Sequence, residues 1–228
     1  MTDAGSPLAP IFDVDDLLAR LASWCDDQRA LTLVRLPPMS DAAIDGIPQL
    51  PTSFPFPLPT PYDPARFVVP AGYRALLRRA GGLHIEHEGE PWGVVHLYRP
   101  GDCARAHCGA RYTLCDAWST AGTTVDDREI TTTALISFAS IGFSVESSRW
   151  CFHLGPGAPL PIYEESNDYE CLAGTYVDTG EPLSTFYKPV FPSFEAWFTT
   201  LVDVVIARPF APGDDDALVQ RLFDAARR

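Results

Sequence analysis

Basic side chains are scarce in this chain: 17 Lys and Arg face 30 Asp and Glu, and Lys188 is the only lysine. The formal net charge of −13 repels nucleic-acid phosphates and anionic lipid surfaces, so neither nucleic acid nor membrane is an expected partner. Long apolar runs are lacking too. The strongest, LVDVVIA at 201–207, falls well short of the about 18–20 residues that a membrane helix needs. The first residues, MTDAGSPLAPIFDVDD, carry no basic n-region and no apolar h-region, which predicts no signal peptide and a cytoplasmic location. In that setting the six cysteines (25, 103, 108, 115, 151 and 171), irregularly spaced, read as reduced thiols rather than a disulfide framework. The motifs of common catalytic sites are also missing: GxSxG, a P-loop, HExxH, or GxGxxG after a strand. No enzyme signature is left, and no cofactor is expected.

What the chain does have is apolar and aromatic mass. It is 46% hydrophobic and 11% aromatic with five tryptophans, enough for a well-filled core within 228 residues. Segment 13–24, DVDDLLARLASW, offers Asp13 as N-cap and an apolar stripe of Val14, Leu17, Leu18 and Leu21, which predicts a helix. LTLVRL at 31–36 reads as a strand. Nine prolines between 37 and 64 then predict an extended connector that neither helix nor central strand can cross, laid on the core through Phe54, Phe56 and Tyr62. Pro70 opens a second helix with Tyr73, Leu76, Leu77 and Ala80 on one face and Arg74, Arg78 and Arg79 on the solvent side. Gly81 and Gly82 are expected to form its left-handed cap. Short β-branched and aromatic segments at 92–98, 111–115, 132–139, 149–154 and 161–164 predict strands. Helices follow at 194–206, capped by Ser193, and at 217–228. This order predicts an α+β fold, a mostly antiparallel sheet with helices on one side and at its ends. Residues 1–67 form an N-terminal helix and connector packed on the core, and 68–228 the main domain.

Several clusters could carry chemistry. DCARAHCGARYTLC brings Cys103, His107, Cys108 and Cys115 within thirteen positions, yet the spacings do not make the two close pairs of a zinc knuckle, and free thiols are the preferred reading. In LHIEHEGE, Glu86, Glu88 and Glu90 recur with period two, so an extended chain lines them up on one face with His84 at its start. They are either the solvated side of an edge strand or an acidic strip for a basic partner. EESNDYE, expected in a loop after the PIY strand, gathers Glu164, Glu165, Asp168 and Glu170, with Tyr163 and Tyr169 close by. Aromatics among acids suit a protein-binding surface. Cys151 and His153 fall on one side of an alternating strand, with Trp150 and Phe152 expected in the core on the other.

The order of these pieces resembles the SMI1/KNR4, or SUKH, superfamily. VPAGYRALLRRAGG is similar to its LP-x-x-Y opening that closes on Gly-Gly, and ALISFASIGFSVESSRWCFHL to its central pair of strands. PLPIYEESND is similar to its hydrophobic-Tyr-acidic strand end, and VFPSFEAWFTTLVD to its closing helix, over about 68–206 in all. The central turn IGFSVESS carries Ser and Glu where the family usually has Gly and Asp, and the first 67 residues have no counterpart in the family pattern. The resemblance implies a non-catalytic α+β binding domain, most often an immunity protein that neutralises a bacterial toxin domain, many of which are nucleases with basic clefts. The candidate interface is then Glu86, Glu88, Glu90, Tyr163, Glu164, Glu165, Asp168 and Tyr169. The alternative is an intracellular regulatory or scaffold protein of the same fold without a toxin partner. The reading of 103–115 as free thiols predicts less than about a tenth of an equivalent of zinc in the purified protein, because a structural site binds tightly enough to be retained; a full equivalent by metal analysis would overturn it.

Overall fold

The computed structural model describes residues 12–28, 30–47, 68–87, 93–100, 117–118, 124–125, 128–129, 135–141, 148–153, 161–165, 190–209 and 215–228. Helix α1 (Val14–Asp27) begins where the Asp13 carboxylate accepts from the amides of Asp15 and Asp16 at 3.0 and 3.1 Å, as its sequence predicts. Its stripe of Val14, Leu17, Leu18, Leu21 and Cys25 is buried, and strand β1 (Leu31–Arg35) follows. A short helix α2 (Asp41–Asp45) then departs from the expectation of an unbroken extended connector. The residues between Pro38 and Pro48 all carry an amide N–H, and Ser40 caps the turn by accepting from Ala43 N–H at 3.2 Å. Met39, Ile44 and Ile47 anchor it in the core. Phe54, Phe56 and Tyr62 lie outside the described residues, as does the strand expected at 111–115.

Helix α3 (Ala71–Arg79) buries Tyr73, Leu76 and Leu77, with Ala80 just beyond it. Its first turn has no side-chain cap of its own. The Gly72 amide instead donates to Glu195 Oε1 at 2.7 Å, a cap supplied from far along the chain. The arginines of α3 reach solvent but are not idle there. Arg78 Nε donates to Asp41 at 2.7 Å, Arg74 pairs with Asp45, and Arg79 with Asp15 at 2.9 Å, tying α2 and α1 to α3. The hydrogen bond from Arg78, aided by the charges of Arg78 and Arg74 and opposed by desolvation, holds the Asp41 carboxyl below its ordinary range.

The left-handed cap expected of Gly81 and Gly82 is not formed. Ala80 ends α3 in extended backbone (φ −146°, ψ 116°), and neither glycine takes a positive φ. Their role is close approach. A Cβ on Gly81 would collide with the Pro37 carbonyl oxygen and lie 2.6 Å from Arg99 Nη1, and one on Gly82 would lie 2.8 Å from Leu36 Cδ1. The chain here lies against the backbone that follows β1, with Leu36 N–H donating to Gly82 O at 3.0 Å and Gly81 N–H to Leu36 O at 3.1 Å.

Strands β2 (Leu83–His87), β3 (Gly93–Leu97), β4 (Ala117–Trp118), β7 (Leu135–Ile141), β8 (Ser148–His153) and β9 (Ile162–Glu165) join β1 in an antiparallel sheet of order β1-β2-β3-β7-β8-β9. The two residues of β4 pair with β7, alongside the stretch that β3 leaves open. A separate ribbon pairs β5 (Thr124–Val125) with β6 (Arg128–Glu129). Helix α4 (Phe194–Ile206), capped by Ser193 as predicted, and helix α5 (Asp215–Ala226) complete the described elements. Among the described residues the helices contact one another and lie over the face of the sheet that carries Leu83, Ile85, Ala139 and Ile141. The class is α+β.

The core lies between α4 and the β7–β8 pair. Phe138, Trp150, Phe152, Phe194, Trp197 and Phe198 are all fully buried. Phe138 and Phe152 stack at 4.2 Å between ring centroids, and Trp197 meets Phe138 edge-on at 4.9 Å and 88°. Each such ring contributes about 2–3 kcal/mol by burial alone. Because the close contact at Gly81 is with backbone, Gly81→Ala is expected to lower stability by about 1–3 kcal/mol in urea denaturation, with the slope of the transition unchanged.

Candidate functional site

The register of the sheet assigns its residues to two faces. Leu83, Ile85, Val95, Leu97, Ala139 and Ile141 are matched across strands under the helices and are buried. Between them, Val34, His84, His96 and Ser140 form a row across the opposite face, each opposite the next. Two hydrogen bonds fix the phase of the ladders: Leu36 N–H to Gly82 O at 3.0 Å, and Tyr98 N–H to Phe138 O at 2.9 Å. Counting back by twos, His84 and His96 are a non-hydrogen-bonded pair, the position where side chains come closest. Their rings indeed lie 3.7 Å apart between centroids at 49°, and Tyr98 stands 4.8 Å beyond His96.

This pair has an electrostatic consequence. Burial, and then the neighbouring His84, push the His96 imidazole down to about 3, so it is neutral throughout the physiological range. His84 Nδ1 is 3.9 Å from Glu86 Oε1, and the Glu86 side chain is 51% exposed. The face grades from open to closed: Thr32 and Glu86 are exposed, Ser140 is half-buried, and Tyr98 and Cys151 are buried. Among the described residues no group of three His, Cys, Asp or Glu could hold a metal ion, and no helix is long and apolar enough to cross a membrane. The cysteines described, Cys25 and Cys151, are buried thiols. Burial, then the Asp26 charge, push Cys25 up to about 11, which leaves it unreactive at neutral pH.

The residues singled out from sequence are distributed unevenly. Glu86 is exposed as expected, but β2 is an inner strand between β1 and β3, so an edge-protecting role does not apply to it. Glu164 and Glu165 are in β9 rather than in a loop. Glu164 departs furthest from expectation. It is opposite Trp150 on the helix-covered face and only 6% exposed, so its carboxylate is not part of a solvent-facing strip. Tyr163 is in β9 in register with Cys151, and Glu165 with Arg149. Glu88, Glu90, Asp168, Tyr169 and the Cys103, His107, Cys108 and Cys115 cluster lie outside the described residues. Trp150 and Phe152 are in the core as predicted, and Cys151 is buried as well.

The His84–His96 pairing is what the sequence reading missed. A signal for it exists: the two histidines are equidistant in sequence from Glu90, between two segments that pair antiparallel. Comparison with protein-family models, with curated proteins and with solved structures finds no match.

His96 is neutral when folded and titrates near its ordinary value when unfolded, so the unfolded chain takes up its proton first. Stability is then fully present above about pH 6.5 and falls as pH drops from there toward 3. Between about pH 7.5 and 5 this accounts for up to about 2 kcal/mol, and His96→Phe should flatten the decline by that amount in urea denaturation across the range.

Proposed function

We propose that this is a non-catalytic binding protein of the SMI1/KNR4 type, acting as an immunity protein that neutralises a toxin domain with a basic surface. The observation that carries the reading is the segregation of the sheet. Among the described residues the helices sit on one face, and the other carries the His84–His96–Ser140 row with Glu86 exposed beside it, opposite Thr32. A sheet face that bears an exposed acid suits recognition of a protein better than enclosure of a small substrate. The net charge of −13 adds long-range steering toward a basic cleft such as a nuclease presents. The order of the motifs along the chain supports the family reading: LP-x-x-Y-type helix, two central strands, Tyr-acidic strand, closing helix.

The interface is centred on Glu86 and the exposed part of β1–β2, with Glu88 and Glu90 continuing the acidic sequence. Glu164 belongs to the covered face, and its replacement would report on folding. Co-expression with the toxin encoded beside it should rescue growth. In a direct titration, Glu86→Arg should weaken association about tenfold at low ionic strength, with the difference shrinking as salt screens the charges. Affinity equal to wild type at every salt concentration would remove this face from the interface.

A further inference from the structure

The two edges of the sheet are treated differently. The β9 edge is capped at its start: Ile162 bridges Phe191, with Ile162 N–H donating to Phe191 O at 2.8 Å and Val190 N–H to Ile162 O at 2.8 Å. The β1 edge has no strand beyond it among the described residues. LTLVR has no proline and no bulge against β2, and Arg35 is its one charged residue. The ladder phase set by Leu36 N–H to Gly82 O makes Thr32 and Val34 the residues bonded to β2. Leu31, Leu33 and Arg35 therefore turn their backbone groups outward. One of these is already used, because Leu31 N–H donates to Gln28 O at 2.9 Å. Beside this edge an open cleft of about 420 Å³ is lined by Ala22, Asp26, Leu31, Thr32, Leu33 and Arg35.

We propose that β1 pairs with β1 of a second copy of this chain, antiparallel and centred on Leu33, giving a two-fold dimer with a sheet continuous across both copies. The symmetry is built into the strand. With the axis at Leu33, each Leu33 N–H donates to the other Leu33 carbonyl, and each Arg35 N–H donates to the carbonyl of the other copy's Leu31. Leu31 N–H, which would otherwise reach the other copy's Arg35 carbonyl, is already satisfied by Gln28, so the new ladder ends there. The charges are self-complementary in the same register. Arg35 of one copy arrives opposite Leu31 of the other, and Asp26 lines the cleft on that side. Asp26 and Asp27 also sit in the last turn of α1, where the helix dipole is negative and no basic residue of that turn compensates them. A guanidinium brought by the second copy relieves both. Arg35 Nη2 donates to Leu18 O of its own copy at 2.8 Å, so the remaining N–H groups of the guanidinium are the ones that meet the second copy's Asp26. The self-matching of backbone groups and charges is what selects a second copy over an unrelated strand.

The test is the mass of the full chain by light scattering or sedimentation at about 0.15 M salt, where repulsion between like-charged copies is screened beyond about 8 Å. At concentrations up to about 0.1 mM the wild type should approach twice its 25.0 kDa. Asp26→Arg and Arg35→Glu should each weaken self-association about tenfold or more, by turning two attractive pairs into repulsive ones. Mixing the two variants should restore a dimer. In the mixed pair the two introduced charges face each other with opposite sign, and the native Asp26 of one copy still meets the native Arg35 of the other. Leu33→Pro removes an outward amide at no cost to the β1–β2 ladder and should give a folded monomer by circular dichroism. A wild type that stays at 25.0 kDa throughout overturns the proposal. So does a dimer indifferent to all three variants, or a pair of charge variants that remains monomeric when mixed.

Discussion

Phe138 is packed against Tyr73 of α3, Phe152 of β8, and Phe194 and Trp197 of α4, with ring centroids between 4.2 and 5.8 Å. Its position depends on an irregularity in β7, where the register against β8 shifts between Ser137 and Ala139. In a regular strand Phe138 and Ser140 would share a face, and Ile141 would point away from it. The bulge turns Phe138, Ala139 and Ile141 all toward the helices, where they are buried, and leaves Ser140 half-buried on the other side. One extra residue thus reconciles an apolar pattern that strict alternation would break. It lets α3 and α4 rest on a continuous aromatic layer. The layer tolerates some cost: the indole N–H groups of Trp150 and Trp197 are buried without a hydrogen-bond partner among the described residues, at about 1–3 kcal/mol each.

With the described helices on one face, His84, Glu86, His96 and Ser140 collect on the other, and the edges of the sheet become distinct surfaces. The same layering settles which charges remain available. Asp15, Asp41 and Asp45 are engaged by arginines of α3, and Asp203 by Arg20 of α1, so these acids secure the helices to one another. Exposed pairs of this kind are worth at most about 1 kcal/mol each, but they fix the relative placement of elements far apart in sequence. Glu86 has no arginine beside it among the described residues. Its neighbour is His84, 3.9 Å away, and its side chain is 51% exposed. Asp26 is likewise uncompensated within its own turn of helix.

Local sequence was informative wherever a local cause operates. Asp13 and Ser193 cap the helices they were expected to cap, and the stripes of α1, α3 and α4 are the buried ones. The strands at β1, β3, β7, β8 and β9 follow from β-branched and aromatic runs. Misreadings occurred where a distant segment supplies the cause. Gly81 and Gly82 look like a helix cap, yet they are required by the backbone at Leu36 and Pro37. Glu164 looks like the start of an acidic loop, yet pairing opposite Trp150 brings it under the helix layer.

By itself, then, the sequence determined the helices with their caps, the strand segments, the α+β class and the acidic charge that limits the choice of partner. Each of these is set by residues within a few positions of one another or by composition alone. The tertiary structure decided which of the described strands lie inside and which at the edge, that His84 meets His96, that Glu86 faces outward while Glu164 does not, and that β1 has no strand beyond it among the described residues. Those outcomes depend on register and on the bulge in β7. Because side chains alternate with period two, a shift of one residue transfers every side chain of a strand to the other face.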